Sequence, residues 1–175
     1  GGGVNNTAIS KYSTVGGGTT NTASNTYSTV GGGESNIVSG SRGFVGGGRL
    51  NRSSNFYAVV SGGDGNTASG FASAIGGGNG NTATTNQATV AGGFVNTASA
   101  AQATVGGGHT NIASAGQSTV GGGNLNIASA PLATIAGGQS NIASGPNSSV
   151  GGGELDTASG DHARVGGGIS NISSG

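Results

Sequence analysis

Glu154, Asp156, Asp161, His162 and Arg164 place acid, base and cation within eleven residues, the densest group in the chain that could do chemistry. A metal or proton-transfer site needs such groups converging from rigid positions. Here no third rigid ligand is supplied from elsewhere, and His109 stands alone. Isolated surface charge is the ordinary reading of such a cluster. Glycine triplets such as Gly31-Gly32-Gly33 lack the Lys-Ser/Thr that would open a phosphate-binding helix, and Gly62-Gly63-Asp64-Gly65 occurs once, whereas calcium-binding turns recur. Asn5, Asn51, Asn147 and Asn171 fit the glycosylation pattern, a weak signal in so Asn- and Ser-rich a chain. The sequence therefore predicts no catalytic residue, no cofactor and no metal, and it is not read as an enzyme.

Composition narrows the partners. The 175 residues include 42 glycines, five basic and five acidic side chains, and no cysteine. Sparse, balanced charge offers no net basic field for nucleic acid and no polybasic patch for a membrane surface, and no apolar run is long enough to insert into a bilayer. Without cysteine there is neither a disulfide framework nor a thiolate metal site. Val, Ile, Leu and Phe number only 30 of the 175. Composition alone would suggest disorder.

Position-specific order decides otherwise. The chain is a single repeat array over residues 1–175, with eleven complete fifteen-residue units and one partial unit, without insertion or deletion. It is expected to be a fragment of a longer fibre. The consensus is G-G-G-x-x-N-[TI]-A-S-x-x-x-[SA]-T-V. The fifteenth column is β-branched throughout: Val15, Val30, Val45, Val60, Ile75, Val90, Val105, Val120, Ile135, Val150 and Val165. The sixth is Asn6, Asn21, Asn36, Asn51, Asn66, Asn81, Asn96, Asn111, Asn126, Asn141 and Asn171, broken only by Asp156. Variation gathers at the fourth, eleventh and twelfth positions, which hold seven of the ten charged residues. A disordered linker has no reason to keep one column β-branched and another small.

Alternation within x-[SA]-T-V and N-[TI]-A-S predicts two short strands per unit. The thirteenth and fifteenth side chains face inward with the sixth and eighth, and the seventh and fourteenth face out. The glycines make one corner, and a second is expected near the ninth and tenth positions. The fold class is all-β, a parallel β-solenoid with one unit per rung. Twelve rungs at about 4.8 Å make a rod of roughly 55 Å. Stacked Val and Ile form the core ladder. The asparagines form either an amide ladder along the axis or local turns on their own backbone, and both readings stay open. Each rung buries little against the entropy of ordering fifteen residues, which predicts that chains associate. Ile37, Ile112, Ile127, Ile142 and Ile172, on the outward seventh column, form the candidate subunit interface. Phe44 and Arg52 interrupt regular columns and are expected to need a wider rung or an exposed tip.

Ser28-Thr29-Val30-Gly31-Gly32-Gly33, followed by Asn36 and by Ser39-Gly40 with Val38 in the alanine place, resembles the YadA-like head repeats of trimeric autotransporter adhesins. Those run S-V-A-I-G-x-x-S-x-A-x-G. On that comparison Val30 matches a core aliphatic, Gly33 the turn glycine, Asn36 the polar turn position, and Ala143 and Gly145 the Ala and second Gly. The resemblance covers essentially the whole chain and implies a left-handed β-roll, a homotrimer and an extracellular, cell-surface location. It further implies an adhesin-head or fibre segment that mediates attachment to host or matrix surfaces, or assembles with itself into a longer filament. The glycine-rich repeats also look similar to those of tail-fibre-like proteins of phages and bacteria. The unit here is one residue longer, with glycine for one aliphatic and Asn for the usual Ser. A third expectation, from the residues alone, is an ice-binding face on Thr14, Thr29, Thr89, Thr104, Thr119 and Thr134, interrupted by Phe44, Val59, Ala74, Ser149 and Arg164.

Overall fold

In a computed structural model, which describes residues 2–175, the chain is a parallel β-solenoid with one fifteen-residue unit per turn. Gly1, the first residue of the first unit, lies outside the described residues. The strands are two residues long and begin with β1 (Thr7–Ala8) and β2 (Thr14–Val15), ending at β23 (Ile172–Ser173). Odd-numbered strands form a twelve-stranded parallel sheet and even-numbered strands an eleven-stranded one. Register is in phase throughout: Thr22 pairs with Ile37, and Val30 with Val45. A third column of single parallel bridges runs through the fourth position, from Val4 and Thr19 to Glu154 and Ile169.

The period-two alternation sets the faces. Away from the terminal rungs the sixth, eighth, thirteenth and fifteenth side chains are buried, and the seventh and fourteenth stay partly or fully exposed. The core is accordingly narrow. Val30, Val45, Val60, Ile75 and their equivalents form one ladder facing an alanine ladder that includes Ala68, Ala83 and Ala98. Val15, in the first rung, is only half-buried because no rung covers it from below. Phe44 and Arg52 need no wider rung: both sit in regular register with their neighbours, side chains outward on the strand faces. Of the two expected accommodations, exposure holds and widening does not, since the columns they interrupt line no core.

Corners depart from the sequence reading. The third glycine does turn, with φ near +90° at Gly33, where an added Cβ would also run into the carbonyl oxygen of Gly48. Two further left-handed corners lie at the fifth and twelfth positions, mostly in non-glycine residues such as Val95 (φ 54°), Thr110 (φ 54°) and Tyr27 (φ 59°). The second corner is thus centred on the eleventh and twelfth positions, two residues beyond the expected place. A tight bond from the thirteenth amide to the tenth carbonyl closes it, as in Ser28 N–H to Asn25 O at 3.0 Å.

Candidate functional site

The asparagine column carries the most specific geometry, and it is neither a continuous amide ladder nor a purely local turn. Oδ1 of Asn81 accepts the backbone N–H of Asn96 on the next rung at 2.9 Å. Its Nδ2 donates to Gly77 O of its own turn at 2.9 Å and to Gly93 O of the next rung at 2.9 Å. Each side chain therefore satisfies three backbone groups where the glycine corner leaves the strand ladder. Amide-to-amide bonds are the exception, as in Asn66 Nδ2 to Asn51 Oδ1 at 3.1 Å. From Asn21 to Asn141 every member is fully buried; Asn6 and Asn171, in the terminal rungs, are not.

Asp156 occupies the same slot, fully buried. Its Oδ1 does the asparagine's accepting work, toward Asn171 N–H at 2.8 Å and Asn171 Nδ2 at 3.0 Å. Its Oδ2 replaces the NH2 group and has no hydrogen-bond partner. The neighbouring Asn141 shows what is lost, since its Nδ2 donates to Gly137 O and Gly153 O at 3.0 Å each.

The acidic cluster does not converge. Asp156 points into the core, while Glu154, Asp161, His162 and Arg164 are exposed on four different outward columns. Asp161 and His162 contact each other at 2.8 Å in solvent. Among the described residues no group of three or more His, Asp or Glu is placed to hold a metal ion, and no pocket opens. Asn51, a glycosylation-pattern asparagine, is buried in the ladder and out of reach of modification, whereas Asn5 and Asn147 are exposed.

What the surface does offer is columns. Glu34, Arg49 and Asp64 follow one another along the fourth position, and Arg49 Nη2 meets Asp64 Oδ2 at 2.8 Å. The hydrogen bond and charge of Asp64, with a smaller push from Glu34, raise the Arg49 pKa above its ordinary value. Gln87, Gln102 and Gln117 link amide to amide at 3.1 Å along the twelfth position. Below them the same corner is aromatic: the Tyr12 and Tyr27 rings stack 4.8 Å apart, inclined by 16°. Sequence reasoning treated these positions as loose and missed their order; recurrence of Tyr12, Tyr27 and Tyr57 at multiples of fifteen was the available signal.

The seventh column presents Ile112, Ile127 and Ile142 in direct register, each partly exposed, with Ile142 38% accessible. Ile37 lies on the same face between Thr22 and Arg52, and Ile172 is 76% exposed in the terminal rung. On the fourteenth column Thr89, Thr104, Thr119 and Thr134 also lie in unbroken register. No helix among the described residues is long and apolar enough to cross a membrane. No protein-family model matches the chain, and no curated protein matches it.

Proposed function

We propose that this chain is a structural, non-catalytic segment of an extracellular fibre, three copies of which associate side by side to present their outward columns at a cell surface. The observation that carries the reading is the in-register Ile112, Ile127 and Ile142 stripe, left partly exposed on a solenoid whose own core holds, apart from the Val38 and Val45 rung, one aliphatic and small residues per turn. A rod that buries so little per turn gains from covering such a stripe, and flat β-branched faces pack well against one another. The resemblance to adhesin head repeats supports the homotrimer. A tail-fibre-like shaft would use the same architecture on a different mount.

Native mass measurement at micromolar concentration tests the assembly, with three chains per particle expected. A monomer unaffected by concentration would sink the trimer. Surface labelling of intact producing cells tests the location, and binding of the purified rod to matrix proteins or host cells tests attachment. A second reading, an ice-binding face, is favoured only by the four consecutive threonines from Thr89 to Thr134. Thermal hysteresis in the purified protein would support it, and its absence would remove it.

A further inference from the structure

The ten charged side chains cancel overall but are sorted along the rod. Lys11, Arg42, Arg49 and Arg52 face a single acid, Glu34, in residues 1–60, a formal net charge of +3. Residues 61–175 carry Asp64, Glu154, Asp156 and Asp161 against Arg164, a net of −3. Within the cationic third, Arg49 is already engaged by Asp64. Arg42 is not: no side-chain hydrogen bond or ion pair consumes its guanidinium among the described residues, and its own column, the twelfth position, holds no acid in any unit.

Arg42 is also held in place. Its guanidinium carbon lies 5.4 Å from the ring centre of Tyr27 and 5.6 Å from that of Tyr57, so it is sandwiched between the rungs below and above. The column continues downward through the Tyr12–Tyr27 stack to Lys11, whose ammonium is 5.1 Å from the Tyr12 ring centre. Upward, Tyr57 meets Phe71 edge-on at 5.9 Å and Phe56 at 6.1 Å. Five of the seven aromatic residues therefore gather on one corner of the first five rungs, each between 44% and 59% exposed.

The arrangement selects among anionic partners. Stacking of Tyr12 on Tyr27, and of Arg42 between Tyr27 and Tyr57, occupies the tyrosine faces that a nucleobase would need. What remains outward is a row of phenol hydroxyls, positively polarised ring edges and a planar fork of N–H donors, repeating at about the rung spacing of 4.8 Å. We propose that this corner, centred on Arg42 between Tyr27 and Tyr57, is a binding surface for an acidic polysaccharide. Uronate carboxylates take the guanidinium donors two at a time. The phenols hydrogen-bond sugar hydroxyls, and Phe56 and Phe71 cover C–H surface. An extended uronate chain repeats its units at nearly the rung spacing, so successive groups meet Lys11, the tyrosines and Arg42 in line.

The proposal rests on the extracellular reading only for where the ligand is met, and binding is measured on the isolated chain, apart from its oligomeric state. Titration of the 175-residue chain with alginate oligomers, neutral dextran and oligothymidylate decides it. Alginate is expected to bind with an affinity that falls as salt rises, and dextran not to bind. Arg42→Gln should weaken alginate binding about tenfold, equivalent to about 1.4 kcal/mol, and Arg42→Lys nearly as much, because a point charge lacks the fork. Arg164→Gln, at the far end, should change nothing. Equal binding by Arg42→Gln and the parent, full retention by Arg42→Lys, equal affinity for dextran, or tighter binding of oligothymidylate than of alginate would each overturn it. None of these outcomes touches the trimer, which the native mass tests separately.

Discussion

Asp156 differs from its eleven counterparts by one group, and the fold has no use for the difference. An acceptor stands where every neighbouring rung has a double donor, leaving Oδ2 buried without a partner. Asp156→Asn should restore two hydrogen bonds, to the Gly152 and Gly168 carbonyls by analogy with Asn141. The expected gain is about 1–3 kcal/mol, read as a higher urea midpoint. The converse change, Asn96→Asp, should cost a similar amount at an interior rung. Val95 offers an independent test. A β-branched residue with φ at 54° is costly on the left-handed side, and its side chain is 41% exposed, so little burial is at stake. Val95→Asn should stabilise by about 1 kcal/mol; an unchanged or lower melting temperature would show that the corner bears no such strain.

At the scale of the element, burial was legible from the sequence because strands alternate and the repeat is free of insertions. One aliphatic column and two small ones could only face in, and Ile75→Ala should therefore cost about 2–5 kcal/mol in thermal or urea unfolding. The corners were less legible. Third-position glycines announce a positive φ by their lack of Cβ, but Tyr27, Gln102 or Leu132 at the twelfth position announce nothing, because inter-rung hydrogen bonds impose the turn on whatever residue is there. Tyr27 N–H, for example, is fixed on Lys11 O at 3.1 Å. The fourth-position bridges were hidden for a similar reason: a column that pairs through single backbone contacts tolerates Thr19, Glu34, Arg49 or Phe94 alike. The alternation Glu34, Arg49, Asp64 at fifteen-residue spacing was the trace they left. The asparagine column was legible in position but not in mechanism, since its partners are glycine carbonyls that only the closed turn brings near.

Over the whole molecule, identical neighbours make the rod modular. Removing residues 76–90, one unit with all its columns, should leave the adjoining rungs in register and shorten the particle by about 4.8 Å in small-angle scattering. Removing five residues from the same unit should disrupt sheet content locally, because every inward column would then face a wrong partner. The proposed side-by-side assembly is tested at this scale by Ile127→Lys. A charge in the middle of the Ile112–Ile142 stripe should lower the native mass to that of one chain while leaving the far-ultraviolet spectrum unchanged.

The parallel ladders have a mechanical consequence. Because strands lie across the long axis, the bonds that join one turn to the next, such as Thr97 N–H to Asn111 O, point along it. Tension between the two termini then loads a single turn at a time, like tape peeled from a roll. Each detachment frees fifteen residues, a contour of about 50 Å, so stretching one molecule should give a regular sawtooth. A solenoid of this build should lengthen stepwise under load, whatever its columns hold.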